Sequence, residues 1–206
     1  MNMLWHLIKI GGPTMVILLI LSVVSVAIIL ERFIFYYYKA RLKRKDFMLK
    51  IRQELKKGGV KSTLGICKTA EAPFVQVVYA GLSFFDCSEK EISNNMERQV
   101  IIETVTLERF TSVIGTIGSV AVYIGLLGTI TGILRAFHDV SVSGSGGISV
   151  IIGGISEALS TTAAGLTIAI PAVAAYNYSM KKIDDFIKDM ELAASEIMDL
   201  ISAIKK

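Results

Sequence analysis

One carboxylate dominates the chemistry open to this chain. Between Phe110 and Met180 two long apolar stretches are built mostly from Gly, Ala, Ile, Val, Ser and Thr. Their only charged residues are Arg135, Asp139 and Glu157, with a titratable His138 beside them. Glu157 alone carries charge in the run Val140–Met180. An ionised carboxylate at the bilayer centre costs roughly 2.5–3.5 kcal/mol even on lenient insertion scales, so one kept at that depth points to ion or proton handling. The bland alternative is a carboxylate at the outer interface, wetted or paired with Lys or Arg. Counting inward from Ile148 puts Glu157 about two to three helical turns deep, which favours the functional reading.

Hydroxyls and small residues surround it. At about 100° per residue, Gly153, Glu157, Ser160, Thr161, Ala164 and Pro171 share one broad face, while Ile155, Leu159 and Leu166 lie largely off it. A polar, small-residue face with a single acid suits a helix lining a narrow interior, which makes Thr161 a lining candidate beside Glu157. Pro171 removes a backbone donor and should loosen the helix locally. The preceding stretch holds Gly115, Gly118, Gly125, Gly128 and Gly132, with Gly128 and Gly132 at GxxxG spacing. Such spacing lets helix backbones approach closely, and we read Gly125, Gly128, Gly132, Gly165 and Pro171 as helix-packing residues. Thr129 and Thr131 lie among them; a lone membrane Thr often bonds only to its own helix.

These residues need membrane helices to position them. Mean hydropathy is +0.57 and 52% of residues are hydrophobic. Three segments can each supply the roughly 20 apolar residues a span requires. They are predicted at residues 13–38, 110–137 and 148–180, and the last is long enough to project beyond the bilayer. The first does not read as a cleavable signal, because its apolar run is longer than an h-region and ends in Glu31-Arg32 and the cluster Tyr36-Tyr37-Tyr38. Those tyrosines read as an interfacial belt. Residues 39–57 hold nine basic side chains against Asp46 and Glu54. By the positive-inside rule this places residues 39–109 and the tail 181–206 in the cytoplasm. A short N-terminus (1–12) and the loop 138–147 then lie outside. The basic block reads as a topology and lipid-headgroup anchor, since no nucleic-acid motif accompanies it.

The polar regions also read as helical. Residues 39–57 end at Gly58-Gly59, a second helix fits roughly 60–70, and Pro73 marks a break before the apolar run Phe74–Phe85. Ser88 and Glu91 match a capping box. From there apolar periodicity continues without Pro or Gly as far as Gly115, predicting one unbroken helix into the second span. The stripe Ile183, Phe186, Met190, Ala193, Ile197 and Leu200 likewise extends the third span. Ser141–Gly147 is expected to be a flexible turn. The fold class is an all-α membrane protein with three spans and long cytoplasmic helical extensions. Cys67 and Cys87 read as packing residues, and neither a metal site nor a cofactor is expected. No HExxH, GxSxG or Walker sequence occurs, so enzymatic chemistry is not expected either.

Two segments carry a family resemblance. Tyr-Ile-Gly-Leu-Leu-Gly-Thr-Ile-Thr-Gly-Ile-Leu-Arg-Ala-Phe (Tyr123–Phe137) and Gly-Ile-Ser-Glu-Ala-Leu-Ser-Thr-Thr-Ala-Ala-Gly-Leu-Thr-Ile-Ala-Ile-Pro-Ala (Gly154–Ala172) resemble the MotA/TolQ/ExbB proton channel family, most closely its ExbB/TolQ branch. Tyr176-Asn177 continues the pattern, and Ser22–Ile29 is similar to the family's first span. The resemblance implies a subunit of a bacterial inner-membrane motor in which a homopentameric ring surrounds the single spans of two ExbD/TolR-like partners. A membrane aspartate on each partner would carry the proton, and a TonB- or TolA-like protein would receive the work. It implies that Thr129 and Thr162 form the polar ring around that aspartate and that Glu157 lies near the outer mouth. Val122 stands where the family commonly has a Pro. An ideal wheel puts Thr162 about 140° from Glu157, so both reach a lumen only if the helix is distorted or the lumen touches more than one face. The alternative function is a passive membrane assembly scaffold. A secondary transporter is disfavoured by the lack of inverted repeats.

Overall fold

The computed structural model describes the backbone of residues 2–57, 59–143 and 148–205, and the side chains of 12–57, 59–142 and 151–205. Seven helices follow in order, with no strand among the described residues: α1 (Asn2–Lys39), α2 (Arg44–Lys56), α3 (Val60–Lys68), α4 (Pro73–Ser83), α5 (Glu89–Glu108), α6 (Thr111–Ser143) and α7 (Ile148–Lys205). Three helical runs, drawn from α1, α6 and α7, are long and apolar enough to cross a membrane. Of the turn expected at Ser141–Gly147, Ser141–Ser143 belong to α6, and 144–147 lie outside the described residues. Contacts divide the chain into two compact units.

The first unit comprises residues up to Glu31 together with Phe110–Tyr178. Its buried apolar clusters are small: Leu18, Ala121 and Ala169 form one, and Ile114, Ile117 and Ala172 another. Large apolar side chains point outward instead, including Val23 (71% exposed), Tyr123 (70%) and Ile170 (67%). That inversion is what a lipid-facing or subunit-facing surface requires, because lipid tails are as apolar as Leu and do not drive such groups inward. Residues 2–11 are helical too, and α1 breaks at Gly12, whose φ of 58° and ψ of −152° suit only glycine. A Cβ there would also sit 2.8 Å from Nη1 of Arg135. Pro13 restarts the helix at the position where its missing N–H costs nothing.

The second unit, Arg32–Arg109 with Ser179–Lys206, is built like a soluble domain. Its core gathers Phe47, Ile51 and Leu55 of α2, Phe74, Val75 and Val78 of α4, and Ile92 and Met96 of α5. Ile183, Met190, Ile197 and Ile201 of α7 complete it. Pro73 occupies the first turn of α4, and Ser88 and Glu91 form the full capping box at α5. Cys67 is buried among these apolar groups, which pushes its thiol up to about 11.

Three expectations need correction. Helix α5 does not run on into α6. It stops at Glu108, α6 begins at Thr111, and Phe110 between them takes a φ of 63°. Apolar periodicity carries no signal for such a break, since a left-handed non-glycine residue is held by its surroundings rather than chosen by propensity. Tyr36 does not join an interfacial belt: it is 2% exposed, and its hydroxyl donates to the Leu107 carbonyl at 2.9 Å. Tyr37 and Tyr38, rotated onto other faces, are exposed. The basic block is not wholly a surface anchor either. Arg44 bonds Asp189 at 3.1 Å and also Glu196, and Lys39 Nζ donates to the Glu71 carbonyl at 2.8 Å.

Candidate functional site: a glycine-sealed helix pair with a polar outer face

Helices α6 and α7 pack antiparallel through matched small residues. A Cβ on Gly165 would lie 2.6 Å from the Ala121 carbonyl oxygen and 3.1 Å from Cα of Gly125. One on Gly125 would meet the Thr161 carbonyl at 3.1 Å and Cα of Thr162 at 3.2 Å. Gly132 faces Ala158 at 2.9 Å, Gly118 faces Val173 at 2.8 Å, and Gly128 abuts the Thr161 side chain. At Gly125 and Gly165 every nearest atom is backbone, so there the helices approach as closely as their main chains allow. The signal for this register is a seven-residue repeat of small residues on both helices: Gly118-Gly125-Gly132, and Ala158-Gly165-Ala172. The GxxxG pair Gly128 and Gly132 marks only part of this contact.

The hydroxyls divide by face. Thr161 is 1% exposed, and its hydroxyl donates to Ala158 O at 2.7 Å, so it lies inside the α6/α7 contact. Thr162 donates across the pair to the Gly125 carbonyl at 3.0 Å. That bond joins the helices at the level where Gly125 permits closest approach. Thr129 is half-buried and bonds its own helix, to Leu126 O at 2.7 Å. Thr131, Ser160 and Thr167 also bond back to their own helices. A hydroxyl satisfied in this way tolerates a water-poor setting and can still accept from an approaching donor.

Glu157 is half-buried on α7, one position before the buried Ala158 that packs on Gly132. Among the described residues it takes no hydrogen bond or ion pair. The structure therefore brings Thr161, Thr162, Gly125, Gly128 and Gly165 together in one contact, with Gly132 further along it. Thr129 and Glu157 sit outside that contact. Helix α7 continues through Pro171, which is exposed. Toward the other end of the pair, Ser112, Gly115, Thr116, Ser119, Tyr176 and Asn177 help line an open groove of about 590 Å³. Its serines and threonine did not figure among the sequence candidates, because isolated hydroxyls in an apolar run give no spacing signal of their own. Among the described residues no group of His, Cys, Asp or Glu could hold a metal ion.

Helices α6 and α7 thus form one packed small-residue pair, with Thr129 and the single acid Glu157 outside its seam. Residues 69–192 match the MotA/TolQ/ExbB proton channel family, and the chain belongs to it, in its ExbB/TolQ branch. Among curated proteins the chain is similar to the biopolymer transport protein ExbB of Salmonella typhimurium. That match is 29% identical and covers 91% of this chain and 80% of the relative. The ExbB protein of Xanthomonas campestris is 34% identical over 56% of this chain and 46% of its own length. That of Pseudomonas putida is 33% identical over 55% of this chain. The chain spans only about a third (35%) of the Pseudomonas relative's length.

Proposed function

We propose that this protein is the ring subunit of an inner-membrane motor driven by the proton-motive force. Five copies surround the single spans of an ExbD/TolR-like partner, present in two copies. Proton flow past the partner's membrane aspartate is coupled to work on the outer membrane through a TonB- or TolA-like protein. The N-terminus lies in the periplasm and the C-terminus in the cytoplasm. The observation that carries the reading is the family match over residues 69–192, which includes both helices of the glycine-sealed pair and its single acid.

In this reading the pair is a stiff wall. The contacts at Gly125, Gly128, Gly132 and Gly165 hold α6 and α7 as one body, so torque on the lumen is transmitted rather than absorbed. Thr129 and Glu157, outside the seam, meet the partner's span. Thr162, fixed to the Gly125 carbonyl, supports the polar ring from within the wall, and Thr161 supports it one position deeper. The groove at Ser112, Thr116, Ser119 and Asn177 supplies hydroxyls and an amide along which a proton leaves toward the cytoplasm. One charge crossing 100 mV releases about 2.3 kcal/mol, the scale of a conformational step.

The test is reconstitution of the subunit with a single-span partner in proteoliposomes, with a pH-sensitive dye inside. Glu157→Gln and Thr129→Val should assemble with the partner as the unmodified chain does, yet cut imposed-gradient proton flux at least several-fold. A subunit that assembles and conducts unchanged with both substitutions is a scaffold, and the motor reading is then wrong.

A further inference from the structure

The second unit carries two grooves on opposite flanks of α7. The first, about 450 Å³, lies between α2 and α7 and is lined by Lys45, Met48, Leu49, Arg52, Glu196 and Leu200. Lys45, Leu49 and Arg52 fall on one stripe of α2, at i, i+4 and i+7. Leu49 is 58% exposed between the two cations. Glu196 is already engaged by Arg44, so the free charge of this flank is positive. The second groove, about 580 Å³, lies between α5 and α7. Its rim holds Glu97 and Glu191, both exposed, and its floor holds Met96, Val100 and Met198. Ile101 is 63% exposed beside Glu97, and Val105, one turn on, is 64% exposed.

The placement of these flanks matters more than either groove alone. At about 100° per residue, Glu196 and Leu200 lie roughly 180° around α7 from the group Glu191, Ala194 and Met198. The buried stripe Met190, Ala193 and Ile197 runs between them on the core side. One flank is thus cationic around an exposed leucine, and the opposite flank is anionic around exposed isoleucine and valine. A head-to-tail contact that closes into a ring requires two different, complementary patches on opposite sides of one subunit.

We infer that the Lys45–Leu49–Arg52 flank of one copy seats against the Glu97–Ile101–Glu191 flank of the next, and that this contact sets the register of the ring outside the membrane. The inference rests on the ring assembly proposed above and adds the surface that closes it. Charge complementarity of this kind suppresses wrong registers and speeds encounter, and salt weakens it.

The experiment uses the full-length chain in mild detergent, with native mass spectrometry reading the ring fraction against protein and NaCl concentration. Reversing one flank, Lys45→Glu with Arg52→Glu or Glu97→Lys with Glu191→Lys, should raise the concentration for half-dissociation about tenfold or more. Helical content should stay unchanged. Combining all four reversals restores opposite signs and should return the value to within about twofold of the starting chain. Single-flank reversals that leave the rings intact would overturn the inference while the assembly reading stands. So would a fourfold variant as defective as either double. An unmodified chain that is monomeric throughout would overturn both.

Discussion

Replacing Gly165 by Ala should destabilise the protein, although the same change in an ordinary helix stabilises it. Alanine in a helix interior gains about 0.8–1.0 kcal/mol over glycine from propensity alone. At Gly165 the new Cβ would stand 2.6 Å from the Ala121 carbonyl oxygen, roughly 0.8 Å inside ordinary van der Waals contact. It would also press on N and Cα of Gly125, at 3.4 and 3.1 Å. None of these atoms is the free end of a flexible side chain, so relief requires α6 and α7 to separate. Separation stretches the Thr162–Gly125 hydrogen bond, now 3.0 Å. Overpacking costs about 1–3 kcal/mol, and straining the partly buried hydrogen bond adds about 1 kcal/mol. The net expectation is a loss of about 1–3 kcal/mol, read by equilibrium unfolding in detergent. Gly65→Ala in α3, where a Cβ meets nothing within 4 Å, is the internal control and should gain up to about 1 kcal/mol. If Gly165→Ala matched or exceeded that gain, the backbone-to-backbone seam would not exist as described.

Two further outcomes follow from the second unit. The hydrogen bonds from Ser88 to Glu91 hold the Glu91 carboxyl below the usual carboxylate range. A depressed folded pKa contributes stability that is present above the unfolded value and lost as pH falls through the folded one. Protection of the first amides of α5, taken as the exchange rate relative to the intrinsic rate at each pH, should therefore fall on acidification below about pH 4, and Ser88→Ala should weaken that dependence, leaving only the backbone bond to Glu91. Arg44 bonds both Asp189 and Glu196 while only 12% exposed itself. Its partners are 46% and 44% exposed, so solvent screening limits the expected cost of Arg44→Ala to about 1 kcal/mol. Arg44→Lys should recover only part of it, because a single ammonium lacks the guanidinium fork. Thermal unfolding at low and high salt measures both, and the difference between variants should shrink at high salt.

Much of this protein was legible in the order of its residues. Long runs without charge have no reason to exist in a water-soluble core of this size, so three membrane-capable helices follow from composition alone. Pro73, the Ser88–Glu91 box and the apolar stripe from Ile183 onward mark α4, α5 and the end of α7, because each acts within one or two turns of itself. The family, too, could be recognised from the two motifs around Thr129 and Glu157. Tertiary structure decided which face each residue serves. Thr161 and Glu157 share a broad face on an ideal wheel, yet Thr161 is buried against Gly128 and Glu157 is not. What separates them is the position of α6, which packs on the repeat Ala158-Gly165-Ala172 rather than on the broad face of the ideal wheel. Tyr36 left the aromatic cluster for the core because the Leu107 carbonyl lay within reach of its hydroxyl. Helix α5 stopped at Glu108, before a Phe110 whose left-handed φ no local pattern announces. Local pattern determines what a segment can become; only close packing against another segment determines which of its faces is used.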